Sequence, residues 1–217
     1  MSDTTLRQDI LDELEIEPSI DAADIGVAVE DGIVTLTGHV PTYAQKTTIE
    51  SLVGRIRGVK GIAEELEVRY RGSVGNSDDE IAKRAANSLQ WSTVVPDDKV
   101  QVKVQKGWVT LTGTVGWNFE KVAAADAVLG LQGVTGITNN IGIKARPMVS
   151  ALDVKKRIED SLRRNAELEA KSIRVDVAGS RVTLDGHVKA WSERRLVEDA
   201  AWATPGVTTV DDRLTIS

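Results

Sequence analysis

The chain has 217 residues and a formal net charge of −6, with 41% hydrophobic and 28% charged residues, the make-up of an ordinary globular protein. The acid excess argues against a general nucleic-acid binder, because neutralising phosphates takes a basic surface. No cysteine and two histidines exclude disulfides, thiol nucleophiles and thiolate metal sites, and a zinc site would have to lean on carboxylates.

The N-terminal run "MSDTTLRQDILDEL" has no basic start followed by an apolar core, so no secretory signal is expected. No apolar run reaches the roughly 20 residues that span a bilayer. The expected location is therefore the cytoplasm, or the periplasm if this is a mature form. Leu6, Ile10 and Leu14 repeat at a four-residue step, one stripe of an amphipathic helix, and Asp3 just before it suits an N-cap. Val27 and Val29, a turn at Asp31–Gly32, then Val34, Leu36 and Val40 read as a β-hairpin with one buried face. A second helix carries Ile49, Leu52, Val53 and Ile56, and Gly58–Val59 is expected to end it, with glycine in the left-handed position after the helix. The segment "IAEELEVRY" supplies a third strand.

The same order then recurs twice. With Gly38, Gly113 and Gly186 set as zero, Gly58, Gly133 and Gly206 stand at +20, each followed by valine. Leu14, Leu89 and Leu162 stand at −24, and Leu6, Ile81 and Val154 at −32, with no insertion or deletion between copies. The first-helix stripes become Ile81, Ala85 and Leu89, then Val154, Ile158 and Leu162, with Ser77 and Ser150 as their expected caps. The hairpin turns become Lys106–Gly107 and Gly179–Ser180. Second-helix positions become Ala124, Ala127, Val128 and Leu131, then Val197, Ala200, Ala201 and Thr204. Such register marks a tandem array. The nine glycines Gly32, Gly38, Gly58, Gly107, Gly113, Gly133, Gly179, Gly186 and Gly206 form its structural signature.

A unit of about seventy residues with α-β-β-α-β order, "G.VTL.G.V" and a later "GV..V...L" resembles the BON domain (bacterial OsmY and nodulation). The expected architecture is an α+β array of three BON-like domains, at 2–71, 77–145 and 149–217, each a three-stranded mixed sheet backed by two helices. The stretches "RGSVGNS" and "RPMVSA" read as linkers, short enough that faces of adjacent repeats are expected to touch. The resemblance implies association with bacterial osmotic and envelope stress. It also implies attachment to phospholipid surfaces or, as in a relative carrying another domain type, potassium binding. It supplies no catalytic, cofactor-binding or metal-binding residues.

Each candidate site also has a plain structural role. His39 and His187 occupy one repeat position, with Thr114 in the middle copy; alternation puts all three on the sheet face away from the helices. A nucleophile–base pair would need one of the histidines beside a serine or threonine; the reading taken is a solvated strand histidine. Thr35, Thr37, Thr110, Thr112, Thr183 and Asp185 line the same face. Trp91, Trp108, Trp117, Trp191 and Trp202 read as packing residues at helix ends or between repeats. Residues 1–72 hold 14 acidic and 7 basic side chains without the spacing of a calcium loop. In "DVKKRIEDSLRRN", Lys155, Lys156, Arg163 and Arg164 are the candidate contacts for an anionic phospholipid surface, interrupted by Glu159 and Asp160. The function expected is non-catalytic binding, to phospholipid or to a membrane-associated partner. The alternative is a cytosolic protein-interaction scaffold or cation binder.

Overall fold

The computed structural model describes residues 2–70, 77–144, 150–164 and 172–216. Arg71, Ala145, Val149 and Ser217, which the sequence reading takes as domain limits, and most of both linkers lie outside the described residues. The chain divides into two compact units, residues 1–115 with 120–142, and residues 116–119 with 143–217.

Each copy repeats one order of elements. The first holds α1 (Asp3–Ile16), β1 (Ile25–Glu30), β2 (Ile33–Val40), α2 (Tyr43–Val53) and β3 (Gly61–Val68). The second holds α3 (Asp78–Trp91), β4 (Val100–Gln105), β5 (Trp108–Val115), α4 (Asn118–Leu129) and β6 (Gly136–Ile143). The third holds α5 (Ala151–Arg164), β7 (Ile173–Ala178), β8 (Arg181–Val188), α6 (Trp191–Trp202) and β9 (Thr209–Ile216). The sheets are ordered β1-β2-β3, β4-β5-β6 and β7-β8-β9. The hairpin pairs are antiparallel, and β3 and β9 run parallel to the central strand of their sheets, as a helical crossover requires. Each sheet is therefore mixed.

The helix stripes are the core. Leu6, Ile10 and Leu14, Ile81, Ala85 and Leu89, and Val154, Ile158 and Leu162 are the buried residues of α1, α3 and α5. They close on Val34 and Leu36, Val109 and Leu111, and Val182 and Leu184, all fully buried. Burying one such side chain stabilises by about 1.5–3 kcal/mol, and a unit this small has few of them.

Gly38, Gly113 and Gly186 fall where alternation would aim a side chain at the helices. Their φ values are 115°, 135° and 135°. A Cβ there would stand 2.0 Å from the Asp24 carbonyl oxygen, 2.0 Å from that of Lys99 and 2.1 Å from that of Ser172. The chain entering the first strand thus crosses directly over a bare backbone. All nine signature glycines have positive φ.

Two local expectations are corrected. Ser2, not Asp3, caps α1, its hydroxyl accepting from the Thr5 N–H at 3.2 Å. Asp3 is instead a turn clamp: its carboxylate accepts from the N–H groups of Asp31 (2.9 Å) and Gly32 (3.1 Å). Asp78 does the same for Lys106 (2.8 Å) and Gly107 (2.9 Å). Ala151 holds that position in the third copy, where the turn glycine also moves one residue earlier, to Gly179. The second correction concerns Gly58 and Gly206. α2 and α6 stop at Val53 and Trp202, with Gly54 and Ala203 as right-handed caps. The chain then runs through further turns, with Ile56 N–H on the Val53 carbonyl and Val59 N–H on that of Ile56. Gly58 and Gly206 close these turns rather than the helix. Val59, Val134 and Val207 then enter the core, and the next N–H bonds the hairpin turn, as in Lys60 to the Gly32 carbonyl at 2.9 Å.

Within the first unit, the Tyr70 hydroxyl donates to the Val134 carbonyl, joining the end of the first copy to the Gly-Val turn of the second. Burial pushes the Tyr70 phenol above its ordinary pKa.

Two outcomes test these readings. Gly113→Ala should lower stability by about 2–4 kcal/mol, because strain at φ 135° adds to a clash with rigid backbone; urea unfolding checks it. Asp78→Ala should lower the melting temperature at pH 7. The Gly107 and Lys106 amides hold the Asp78 carboxyl below its ordinary pKa. Its contribution is therefore present above the unfolded-state pKa and disappears as pH falls through the depressed one. The gap between wild type and variant should close in strong acid.

Candidate binding surface and polar clusters

The four basic residues singled out in the sequence all lie on α5, but the fold separates their roles. Lys155 leans toward the sheet, its Nζ 3.8 Å from Asp176 on β7 and 4.0 Å from Glu159. Arg163 pairs with Asp160 at 3.5 Å while staying exposed. Lys156 and Arg164 are exposed, as is Arg157, and these three enter no ion pair among the described residues. Spacings of four and seven residues return to one helix face, which groups Leu152, Lys156 and Arg163. Leu152 is 80% exposed and lies beside these cations. The result is a mixed strip, basic and apolar, with Asp153 and Asp160 along its flank.

A second cluster was not singled out from sequence. The +8 position on the second helix and the +26 position on the last strand meet in every copy. Lys46 pairs with Glu64 at 2.9 Å and donates to the Leu66 carbonyl at 2.8 Å. Asn139 donates to the Lys121 carbonyl at 2.7 Å. In the third copy Arg194 pairs with the nearly buried Asp212, whose other oxygen accepts from the Leu214 N–H at 2.8 Å. Arg194 also lies over the Trp191 ring, 5.0 Å from its centroid, a cation–π contact. Glu198 joins this group and its pKa is raised to about 7, first by burial, then by a hydrogen bond to Asp212 and repulsion from it. When Glu198 holds its proton, its carboxyl donates to Asp212. The signal in the sequence was a polar residue at an inward strand position, recurring in register as Glu64, Asn139 and Asp212.

The histidines stand on the outer sheet face. His39 Nε2 is 3.5 Å from Asp24. His187 Nδ1 is 2.6 Å from the Thr215 hydroxyl, the pairing that a nucleophile–base reading asks for. That hydroxyl also reaches the Gly186 carbonyl at 3.2 Å, and when it donates there the ring nitrogen must donate to it rather than take its proton. Two clefts, of about 520 and 390 Å³, lie in the second and first copies and neither is lined by a histidine.

The tryptophans take separate roles. Trp108 lies over Gly136 on the outer face, with its indole N–H on the Thr138 hydroxyl at 2.8 Å. Trp202 packs against the third core, and Trp117 stacks with Phe119 at 6.2 Å. Trp91 is 85% exposed. Among the described residues, no group of three or more histidine, aspartate or glutamate side chains is disposed to hold a metal ion. No described helix is long and apolar enough to cross a membrane.

Comparison with known proteins agrees with the threefold geometry. The family model described as the BON domain matches residues 2–70, 77–145 and 150–217. Osmotically-inducible protein Y of Escherichia coli (strain K12) is 26% identical over 153 residues, covering 66% of this chain and 74% of that relative. Two solved structures of CdsD, described as a structural protein of the type III secretion system of Chlamydia trachomatis, align with 15% identity and a TM-score of 0.28. One alignment covers 98% of this chain and 92% of CdsD, and the other, to its C-terminal domain, covers 100% of each.

Glu198→Gln checks the third-copy cluster. A carboxyl whose folded pKa lies above the unfolded value costs stability as pH rises between the two, here from about 4.5 to about 7. The amide keeps the hydrogen bond to Asp212 without the charge. It should raise the melting temperature by about 2–5 °C at pH 8, with the gain vanishing below pH 4.5.

Proposed function

The chain belongs to the BON-domain family, as three tandem copies, and from that premise we propose that it is a non-catalytic binding protein of the osmotic-stress type that engages anionic phospholipid surfaces through α5. One observation carries the reading. α5 turns Lys156 and Arg163 to solvent beside an exposed Leu152, with Arg157 and Arg164 exposed farther round the helix, and Lys156, Arg157 and Arg164 are uncommitted to ion pairs among the described residues. A strip of this kind suits an interfacial contact, in which cations meet headgroups while one apolar side chain enters the boundary region. Likeness to Osmotically-inducible protein Y supports the stress setting. The reading needs only a leaflet rich in anionic lipid, whose negative surface potential attracts exposed cations. Lys155, tied to Asp176 and Glu159, steadies α5 on its sheet and adds little to the contact.

Co-sedimentation with anionic and neutral vesicles at low and moderate salt tests this. Binding should require anionic lipid and weaken with salt. Each basic residue near the surface contributes about 1 kcal/mol, so Lys156→Glu with Arg163→Glu and Arg164→Glu should weaken binding by about 100-fold or more. Leu152→Ala should weaken it with no change in salt dependence. A protein that ignores anionic vesicles at low salt would end the phospholipid reading and leave the alternative of a protein partner.

A further inference from the structure

The three copies guard the free edge of their first strand differently. At −31 stand Arg7, Ala82 and Lys155. Arg7 reaches from α1 to the Val27 carbonyl, its Nε 2.9 Å away. The other side of β1 is occupied by β2, so this carbonyl lies on the free edge and the guanidinium caps it. Lys155 reaches Asp176 on β7 in the same place. Ala82 reaches nothing. The consequence is visible at the −11 valine: Val27 is 7% exposed and Val175 1%, whereas Val102 is only half-buried. Ala82, Ala86, Val100 and Val102 line the open cleft of about 520 Å³ left there, with Lys83 on its wall paired to Asp79 at 2.7 Å rather than to the strand.

We propose that the uncapped edge of β4 pairs antiparallel with β4 of a second copy of this chain, about a two-fold axis at Val102, making one continuous sheet. The backbone sets which registers are open. β4 pairs with β5 in the register that β1 uses with β2, Val102 opposite Leu111 as Val27 is opposite Leu36. The N–H and C=O groups of Val100, Val102 and Val104 therefore face the free edge, as the Val27 carbonyl does. A regular antiparallel pair must be centred on a residue, so that outward-facing groups meet outward-facing groups. Centring on Lys103 sets that lysine against itself, and centring on Gln101 leaves only Val100 to Val102 of β4 in the ladder. Like charges directly opposite are unfavourable. Centring on Val102 keeps Val100 to Val104 in the ladder, with Val100 against Val104 and Gln101 against Lys103. No like charges oppose within the strand, and the valines of both copies face the same side. Ala82 and Ala86 are small enough to leave room above the seam for the two α3 helices.

The test is sedimentation velocity of the full chain over a wide concentration range. The expected result is a concentration-dependent species of twice the 23.4 kDa chain mass. Ala82→Arg, which copies the cap of the first copy, should abolish it while leaving circular dichroism unchanged. A second variant covers a misfolded outcome. Val102→Cys, in a chain with no other cysteine, should cross-link to itself on oxidation, since opposed residues at such a centre lie about 5.5 Å apart, within disulfide reach. Gln101→Cys should not. A single-chain mass at every concentration, or a dimer that survives Ala82→Arg with no Val102→Cys cross-link, would overturn the proposal.

Discussion

A backbone carbonyl lying where a side chain would otherwise stand is the contact on which each copy depends. The chain leaving the first helix enters its strand by passing over Gly38, Gly113 or Gly186, with the carbonyl oxygens of Asp24, Lys99 and Ser172 filling the space of a Cβ. Without that crossing, the first helix would not reach back over its own hairpin, and the stripe Leu6, Ile10 and Leu14 would have nothing to bury itself against. The glycine also forfeits an inward side chain on the central strand, so the core relies more heavily on its neighbours Leu36 and Val40. A small unit with so few buried groups tolerates no second vacancy. The strictness of the spacing between copies follows, because an insertion on either side of the crossing would move every buried position to the wrong face.

Much of this was legible in the residues because burial is periodic. The four-residue step and the alternation of valines translate directly into which face is covered, and the hairpin turns announce themselves through glycine. What the pattern could not carry was the purpose of polar residues. Asp3 looked like a cap because it precedes an apolar stripe, yet Ser2 has that role and Asp3 reaches 28 residues along the chain to the hairpin turn. Its counterpart is lost in the third copy at Ala151 in step with the shifted turn glycine. That covariation between copies was present in the sequence but has meaning only once the turn is seen to touch the helix. Gly58 misled for a related reason: a left-handed glycine after a helix usually ends it, and here additional turns intervene. The pairing of Arg194 with Asp212 was hidden by the alternation rule itself, which assigns inward strand positions to apolar residues.

The α5 strip was the least legible feature. Composition showed basic residues, and spacing showed one helix, but neither separated Lys155, drawn to Asp176 across the helix–sheet seam, from Lys156 and Arg164, which extend to solvent. That distinction depends on rotation of the helix about its buried stripe, which the sheet fixes. An exposed Leu152 also has no signature in a sequence where scattered apolar surface residues are ordinary.

Copies built on one frame can differ only where the frame does not need them, so their differences indicate what each is for. The first copy carries the acid excess and closes its edge with Arg7. The third carries balanced charge, yet sorts part of its basic share onto one helix and closes its edge with Lys155. The second has neither excess nor strip, and it departs from the others at a strand edge, where Ala82 stands in place of a cation. Exposed strand edges are ordinarily blunted, because an unpaired ladder invites another strand. Two copies obey that rule by placing a long cation at one position, and a cation there fits both a carbonyl and a carboxylate. Its replacement by alanine in the middle copy removes a guard without any packing need for a smaller side chain, since the site opens on a cleft. A relaxed guard on a frame otherwise held in strict register is better explained by an edge that is used than by one that has merely drifted.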